Sequence, residues 1–130
     1  MMIENTIAAW HECVKTGDPE KLAALLHEDA MFHSPVVFTP QRGKAITSKY
    51  LLAAFQVLNG DDFTYVREII GEADAMLEFT TTIDGVVING VDIIHWAQDG
   101  RITDFKVMVR PLKAVNLLHQ MMAAMLAKSA

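Results

Sequence analysis

Between Val86 and Pro111 the chain reads VVINGVDIIHWAQDGRITDFKVMVRP, and one carboxylate within it stands where chemistry is possible. By strand alternation Asp92 points the same way as Ile88, Ile94 and Trp96, and it is the only charge on that face. An acid in an apolar stripe must be neutralised, hydrogen-bonded or placed at a cavity, because an unpaired buried charge is prohibitive. Burial disfavours the anion and raises the pKa, which suits a general acid, general base or hydrogen-bond donor near neutral pH. The competing reading is a structural carboxylate bonded to Trp10 Nε1 or to a backbone N–H.

His33 is the second candidate. It lies where the chain bends at Ser34-Pro35, and an imidazole there can take a proton at neutral pH with little tuning. Against this, strand alternation can aim it away from a cavity and leave an ordinary turn histidine, with Ser34 as a weaker candidate on the opposite side. His95 projects to the face opposite Asp92, toward the outer sheet surface or a subunit contact. His11 and His119 lie on helices without partners at metal-ligand spacing, and His27 follows a leucine pair near a helix end. These scattered histidines make no zinc site, and Gly43-Lys44 lacks the preceding glycines of a phosphate loop. No metal and no cofactor is expected. Trp10, Phe32, Tyr50, Phe55, Phe79, Trp96, Phe105 and Val107 supply the apolar walls of a cavity for a flat or alicyclic molecule.

The elements that must position these groups follow from periodicity. Ile3, Ile7, Trp10 and Val14 mark one face of a helix over 2–16, ended by Gly17. Asp18-Pro19 opens a second helix, as N-cap and first residue, with Leu22, Leu25 and Leu26 on one side. The stretch 30–39 is β-prone but broken by Pro35, and 43–58 reads as a third helix stopped by Asn59-Gly60. Four β-prone segments follow at about 62–70, 75–83, 86–97 and 101–109, with connections short enough to force an antiparallel meander. Asp99-Gly100 is expected to form a tight type I′ turn, and Gly90 is a candidate bend in the long third segment. After Pro111 the stripe Leu117, Leu118, Met121, Met122 and Met125 predicts a docking helix. Helices first and strands afterwards argue for an α+β fold.

At 130 residues the chain is read as one domain, 1–130, and its 52% hydrophobic content is that of a compact protein. A net charge of −5 without basic clusters argues against nucleic acid or an anionic membrane as partner. Cys13 is alone, so no internal disulfide is implied, and its helix makes it a small core hydrophobe. The N-terminus has no basic head followed by an apolar run, and no apolar stretch approaches the ~20 residues of a membrane span. The expectation is a soluble cytoplasmic protein.

Over almost its whole length the chain resembles the nuclear transport factor 2-like superfamily, within it the SnoaL-like and ketosteroid-isomerase-like proteins. The resemblance is carried by Gly17-Asp18, by Leu25-Leu26-His27-Glu28-Asp29-Ala30 leading to Phe32-His33-Ser34-Pro35, by Gly43 opening a helix with Ile46, and by Gly90-Val91-Asp92 and Asp99-Gly100-Arg101-Ile102. It implies a cone-shaped domain in which a curved, antiparallel or mixed sheet wraps the N-terminal helices around an apolar cavity, with frequent homodimers through the outer sheet face. Against the ketosteroid isomerases, Asp92 falls where they carry a neutral Asp that donates to a developing oxyanion. Ser34 falls at their carboxylate base and Trp10 at their second oxyanion donor, a Tyr. The resemblance thus implies a pocket protein doing proton-transfer chemistry, such as isomerisation, cyclisation or hydration, on a small hydrophobic molecule. The alternative is a noncatalytic ligand-binding or dimeric interaction domain of the same fold.

Overall fold

The computed structural model describes residues 2–58 and 60–128. Helices α1 (Thr6–Thr16) and α2 (Pro19–Leu25) lead into strand β1 (Leu26–His33), the short β2 (Gln41–Arg42) and helix α3 (Lys44–Leu58). Strands β3 (Thr64–Ile70), β4 (Asp74–Ile83), β5 (Val86–Trp96) and β6 (Ile102–Arg110) then form the meander, and α4 (Leu112–Lys128) closes the described chain. The strands make one six-stranded sheet in the order β2-β1-β6-β5-β4-β3. Every neighbouring pair is antiparallel except β1–β6, so the sheet is mixed and the fold is α+β.

Local chemistry accounts for the boundaries, and corrects several. The first helix starts at Thr6 rather than at residue 2, because Asn5 caps it by accepting the Ala8 N–H. Ile3 lies outside that helix, where its N–H donates to Asp99 O at 2.7 Å. Asp18 caps α2 through the Glu20 N–H, as its sequence predicts. Leu26, read as helical, has φ −87° and ψ 135° and is the first residue of β1. No glycine or proline separates the helix from the strand, so composition hid the junction. The predicted stop at Asn59-Gly60 falls partly on Asn59, which lies outside the described residues.

The type I′ geometry belongs to a different Asp-Gly pair. Asp84 and Gly85 both have positive φ, 51° and 76°, and they alone connect β4 to β5. At the β5–β6 end only Gly100 is left-handed, at 86°, in a wider loop closed by Ala97 N–H to Arg101 O and Gly100 N–H to Ala97 O. Asp99 stabilises that wider form by accepting both the Arg101 backbone N–H and the Arg101 Nε–H. Gly90 is not a bend either. The β4–β5 register runs unbroken through the Phe79–Gly90 pair, and the irregularity in β5 lies between His95 and Trp96.

The main core lies between α1, α2, α3 and one face of the sheet, and Leu22, Leu26, Leu77, Ile94 and Ile102 in it are fully buried. Each such side chain contributes about 1.5–3 kcal/mol by leaving water. Cys13 belongs to this core, and burial pushes its thiol up to about 11, as expected of an inert small hydrophobe. A second cluster joins α4 to the β4–β5 end through Val57, Phe79, Ile88, Ala114 and Leu118. The inner face of β5 therefore runs from one apolar cluster to the other, and Asp92 stands between them.

Candidate active site

Alternation along β5 buries Ile88, Gly90, Asp92 and Ile94, placing the carboxylate on the inner face with only 6% of its surface exposed. Its cross-strand neighbours there are Leu77 on β4 and Val107 on β6. Such an apolar setting raises the Asp92 pKa from 3.8 to about 7, and a weaker opposing pull comes from one hydrogen bond.

That hydrogen bond comes from Tyr65 on β3, whose hydroxyl lies 2.7 Å from Asp92 Oδ2. Trp10 Nε1 on α1 lies 3.0 Å from the same hydroxyl. Indole N–H can only donate, so Tyr65 must accept from Trp10 and give its own proton to Asp92. The direction of the chain Trp10→Tyr65→Asp92 is fixed by chemistry. Burial, followed by the neighbouring Asp92 charge, holds the Tyr65 hydroxyl far above its ordinary range, so it stays protonated. Ring packing holds the pieces: Trp10 rests against Phe105 at 4.7 Å and Phe55 at 5.3 Å, and Tyr65 against Phe63 at 5.2 Å.

The other carboxyl oxygen, Oδ1, has no hydrogen-bond partner among the described residues. Since no fully buried side-chain polar atom in the described residues is left unpartnered, Oδ1 must face accessible space. That space is a cavity of about 210 Å³. With Tyr65 donating to Oδ2, a neutral Asp92 carries its proton on Oδ1 and presents it to the cavity.

Trp10, Phe32, Ser34, Tyr50 and Phe55 line this cavity together with Asp92. So do Phe79, Phe105 and Val107 from the sheet. Two predicted residues are not brought there. His33 follows Phe32 on β1 and faces the opposite way, its Nε2 lying 2.8 Å from Asp104 Oδ1. Trp96 is half-buried against the main core next to the β5 irregularity and does not line the cavity. The direct bond from Trp10 Nε1 to Asp92, one form of the competing structural reading, is replaced by the relay through Tyr65.

Tyr65 is the group the sequence reading missed. Its signal was present, since Phe63 and Tyr65 alternate on one face of a β-prone segment, and Tyr65 pairs across the sheet with Phe79. Val36 and Val37 after Pro35, and Leu118, His119 and Met122 on α4, are further lining residues outside the predicted set. Val36, Val37 and His119 are exposed, so the loop after β1 and the helix α4 frame the mouth, and Asp92 is at the inner end. Among the described residues no cluster of His, Cys, Asp or Glu is arranged to hold a metal ion, and no helix is long and apolar enough to cross a membrane.

A two-layer α+β fold with an inward carboxylate defines a class, and the comparisons name it. Residues 7–105 match the SnoaL-like domain, and the chain belongs to that family, which lies within the nuclear transport factor 2-like fold and includes isomerases and cyclases. A steroid delta-isomerase from Pseudomonas aeruginosa superposes with a TM-score of 0.89 at 35% identity, over 95% of this chain and 90% of that one. A protein with a cystatin-like fold from Silicibacter pomeroyi gives 0.85 at 33% identity, covering 95% and 86%. The epoxide hydrolase/cyclase-like enzyme SalBIII, of pyran ring formation in the polyether salinomycin, shares the fold alone: TM-score 0.64 at 16% identity, covering 82% and 89%. No curated protein matches the chain significantly.

Proposed function

We propose that this protein is an isomerase-type enzyme that moves a proton on a small hydrophobic carbonyl compound, with Asp92 as the proton-transferring group. The carrying observation is the buried carboxyl whose free oxygen opens into the cavity and whose pKa is raised to about 7. Near neutral pH such a group is populated in both states. As the anion it removes a proton from carbon beside the carbonyl, and the electron pair moves onto the carbonyl oxygen. Returning that proton at the far end of the conjugated system gives the isomer, with no atom gained or lost. A cavity of about 210 Å³ exceeds the ~150 Å³ that admits benzene and falls short of the ~300 Å³ typical of drug-sized ligands, which favours one or two rings. The likeness to a steroid delta-isomerase supports this reaction type.

The test is turnover of a panel of cyclic enones, lactones and epoxides across pH. Asp92→Asn is expected to lose roughly 100-fold or more in rate. In Tyr65→Phe the acid limb should move to higher pH, because the hydrogen bond that lowers the Asp92 pKa is gone. Equal turnover by wild type and Asp92→Asn would remove Asp92 from the mechanism.

A second reading is favoured by one observation: Asp92 is the only carboxylate among the residues that line the cavity. On this reading the protein carries or senses an apolar ligand without converting it. Native mass spectrometry showing an unmodified ligand held through turnover conditions would select it.

The outer sheet face supports a homodimer. Ile69, Met76, Val87 and Met108 are exposed on it, around the half-buried Val91 and Ile93. An apolar patch of this kind on a sheet needs cover, and a second sheet supplies it. Sedimentation should give a dimer at micromolar concentration, and a monomer there would refute the pairing.

A further inference from the structure

The outer sheet face is apolar in the middle and charged at its two ends, and cross-strand register fixes which residue stands where. At one end Arg110 of β6 is opposite Asn89 of β5, and Arg67 of β3 is opposite Glu78 of β4. At the other end Asp104, His95 and Asp74 form one row across β6, β5 and β4. Val91 and Ile93 lie between, with Met76 and Met108 exposed beside them. Asp104 and Arg110 are six residues apart on one regular strand, so the two ends stand ~20 Å apart at ~3.3 Å per residue.

The charges on β6 are not used up within the chain. Asp104 Oδ1 lies 2.8 Å from His33 Nε2, but Oδ2 has no partner among the described residues. Arg110 is exposed, and among the described residues its side chain reaches only Asn89 Oδ1, at 3.4 Å. Arg67, by contrast, is paired with Glu78 at 3.3 Å. The cationic end also borders a hollow of about 320 Å³, lined by Arg67, Arg110, Met76 and Met108 among others.

Two copies of this face can be aligned about a two-fold axis in two ways. An axis running along the strands lays Asp104 against the partner's Asp74, like charge on like, and Arg110 against the partner's Thr80. An axis running across the strands, level with Asp92 and Val107, lays each Arg110 against the partner's Asp104. It also sets Val91 on the partner's Ile93 at the centre and brings the partner's Met76 over the hollow. Charge complementarity selects the second, since like charges opposed across an interface cost far more than rim pairs gain.

We infer that a second copy of the chain docks on the outer sheet face about a two-fold axis crossing the strands level with Asp92, its register set by two symmetric Arg110–Asp104 ion pairs flanking an apolar centre. This orientation rests on the outer-face homodimer proposed above and names the residues that set it.

Sedimentation of the full chain and its variants tests it. Arg110→Asp puts like charges at both contacts, and so does Asp104→Arg; each alone should raise the dimer dissociation constant about 10- to 100-fold. An equimolar mixture of the two variants should dimerise nearly as wild type does, because in the mixed pair each altered residue faces its opposite charge. The double variant should recover in the same way. Arg110→Gln, a neutral change on an exposed side chain, keeps the test open if a reversed charge unfolds the protein. It should weaken the dimer about three- to tenfold and remove most of its salt dependence. Val91→Lys, checked for fold by circular dichroism, should abolish any pairing through this face. If Val91→Lys breaks the dimer but the reversals and Arg110→Gln do nothing, or the mixture fails to recover, the orientation is wrong and the outer-face dimer stands. A wild-type monomer, or a dimer that survives Val91→Lys, overturns both.

Discussion

Asp92→Asn is expected to increase stability by only about 1–2 kcal/mol near pH 5 and by roughly 2–4 kcal/mol at pH 8. Burial lifts the folded-state pKa from 3.8 to about 7. Between those values the native protein keeps a proton that the unfolded chain has released. Native stability therefore falls as pH rises through that window and levels off above it. The gap is about three pH units, and at ~1.36 kcal/mol per unit it sets an upper limit of ~4 kcal/mol. Contact between Oδ1 and the cavity reduces the cost of the anion, hence the lower bound. Asn keeps the shape and accepts the Tyr65 hydroxyl without ever charging, so its profile should be flat where the wild type declines.

Two other carboxylates shift the opposite way. Asp62 is held low chiefly by the Thr81 hydroxyl, and Asp99 chiefly by the Arg101 backbone N–H. The stability they contribute is present above the ordinary carboxylate value and is lost as pH falls below it. That is a different window from that of Asp92. Urea midpoints of the two proteins at pH 5 and pH 8 give the difference directly, and every other titrating group cancels because both proteins share it. Parallel profiles would mean that the Asp92 carboxylate is solvated or paired, and the raised pKa on which the proposed chemistry depends would be lost with it.

How much of this was legible in the sequence depends on how local each cause is. Alternation placed Asp92 inside because β5 is long, regular and apolar on one face. The Asp18-Pro19 cap was legible for the same reason, since cap and helix are adjacent. Tyr65 was not singled out, because its role exists only where β3, β5 and α1 meet across the sheet, at separations of 27 and 55 residues from its partners. Asp84-Gly85 and Asp99-Gly100 are the same dipeptide in two different turns. What separates them is Arg101, whose backbone and side chain both bond Asp99, together with Ile3 and Thr6 docking on that loop. A dipeptide rule cannot see those partners. His33 failed to reach the cavity for an elementary reason, being the next residue after an inward Phe32 on a strand.

Gly90→Ala is expected to destabilise the protein by roughly 1–3 kcal/mol, although a Gly-to-Ala change in a strand would ordinarily stabilise by ~0.5–1 kcal/mol. The φ at this position is not left-handed, so backbone strain is not the cause. Space is. A Cβ built on Gly90 would lie 2.3 Å from Phe79 Cζ and 2.7 Å from Cε2, because the ring of its cross-strand neighbour lies directly over the glycine. Phe79 is fully buried, stacked on Phe63 at 5.2 Å and edge-on to Tyr65 at 6.3 Å, so it has few directions of escape. The open one is the cavity it lines. The variant should therefore melt several degrees lower and also bind α-tetralone more weakly, because the displaced ring occupies ligand space. Gly90→Ala combined with Phe79→Leu should recover part of the stability lost by either single change, the non-additivity expected of two residues in direct contact. A Gly90→Ala protein as stable as wild type would mean that the ring does not depend on the missing Cβ, and the inner wall of the cavity would have to be redrawn.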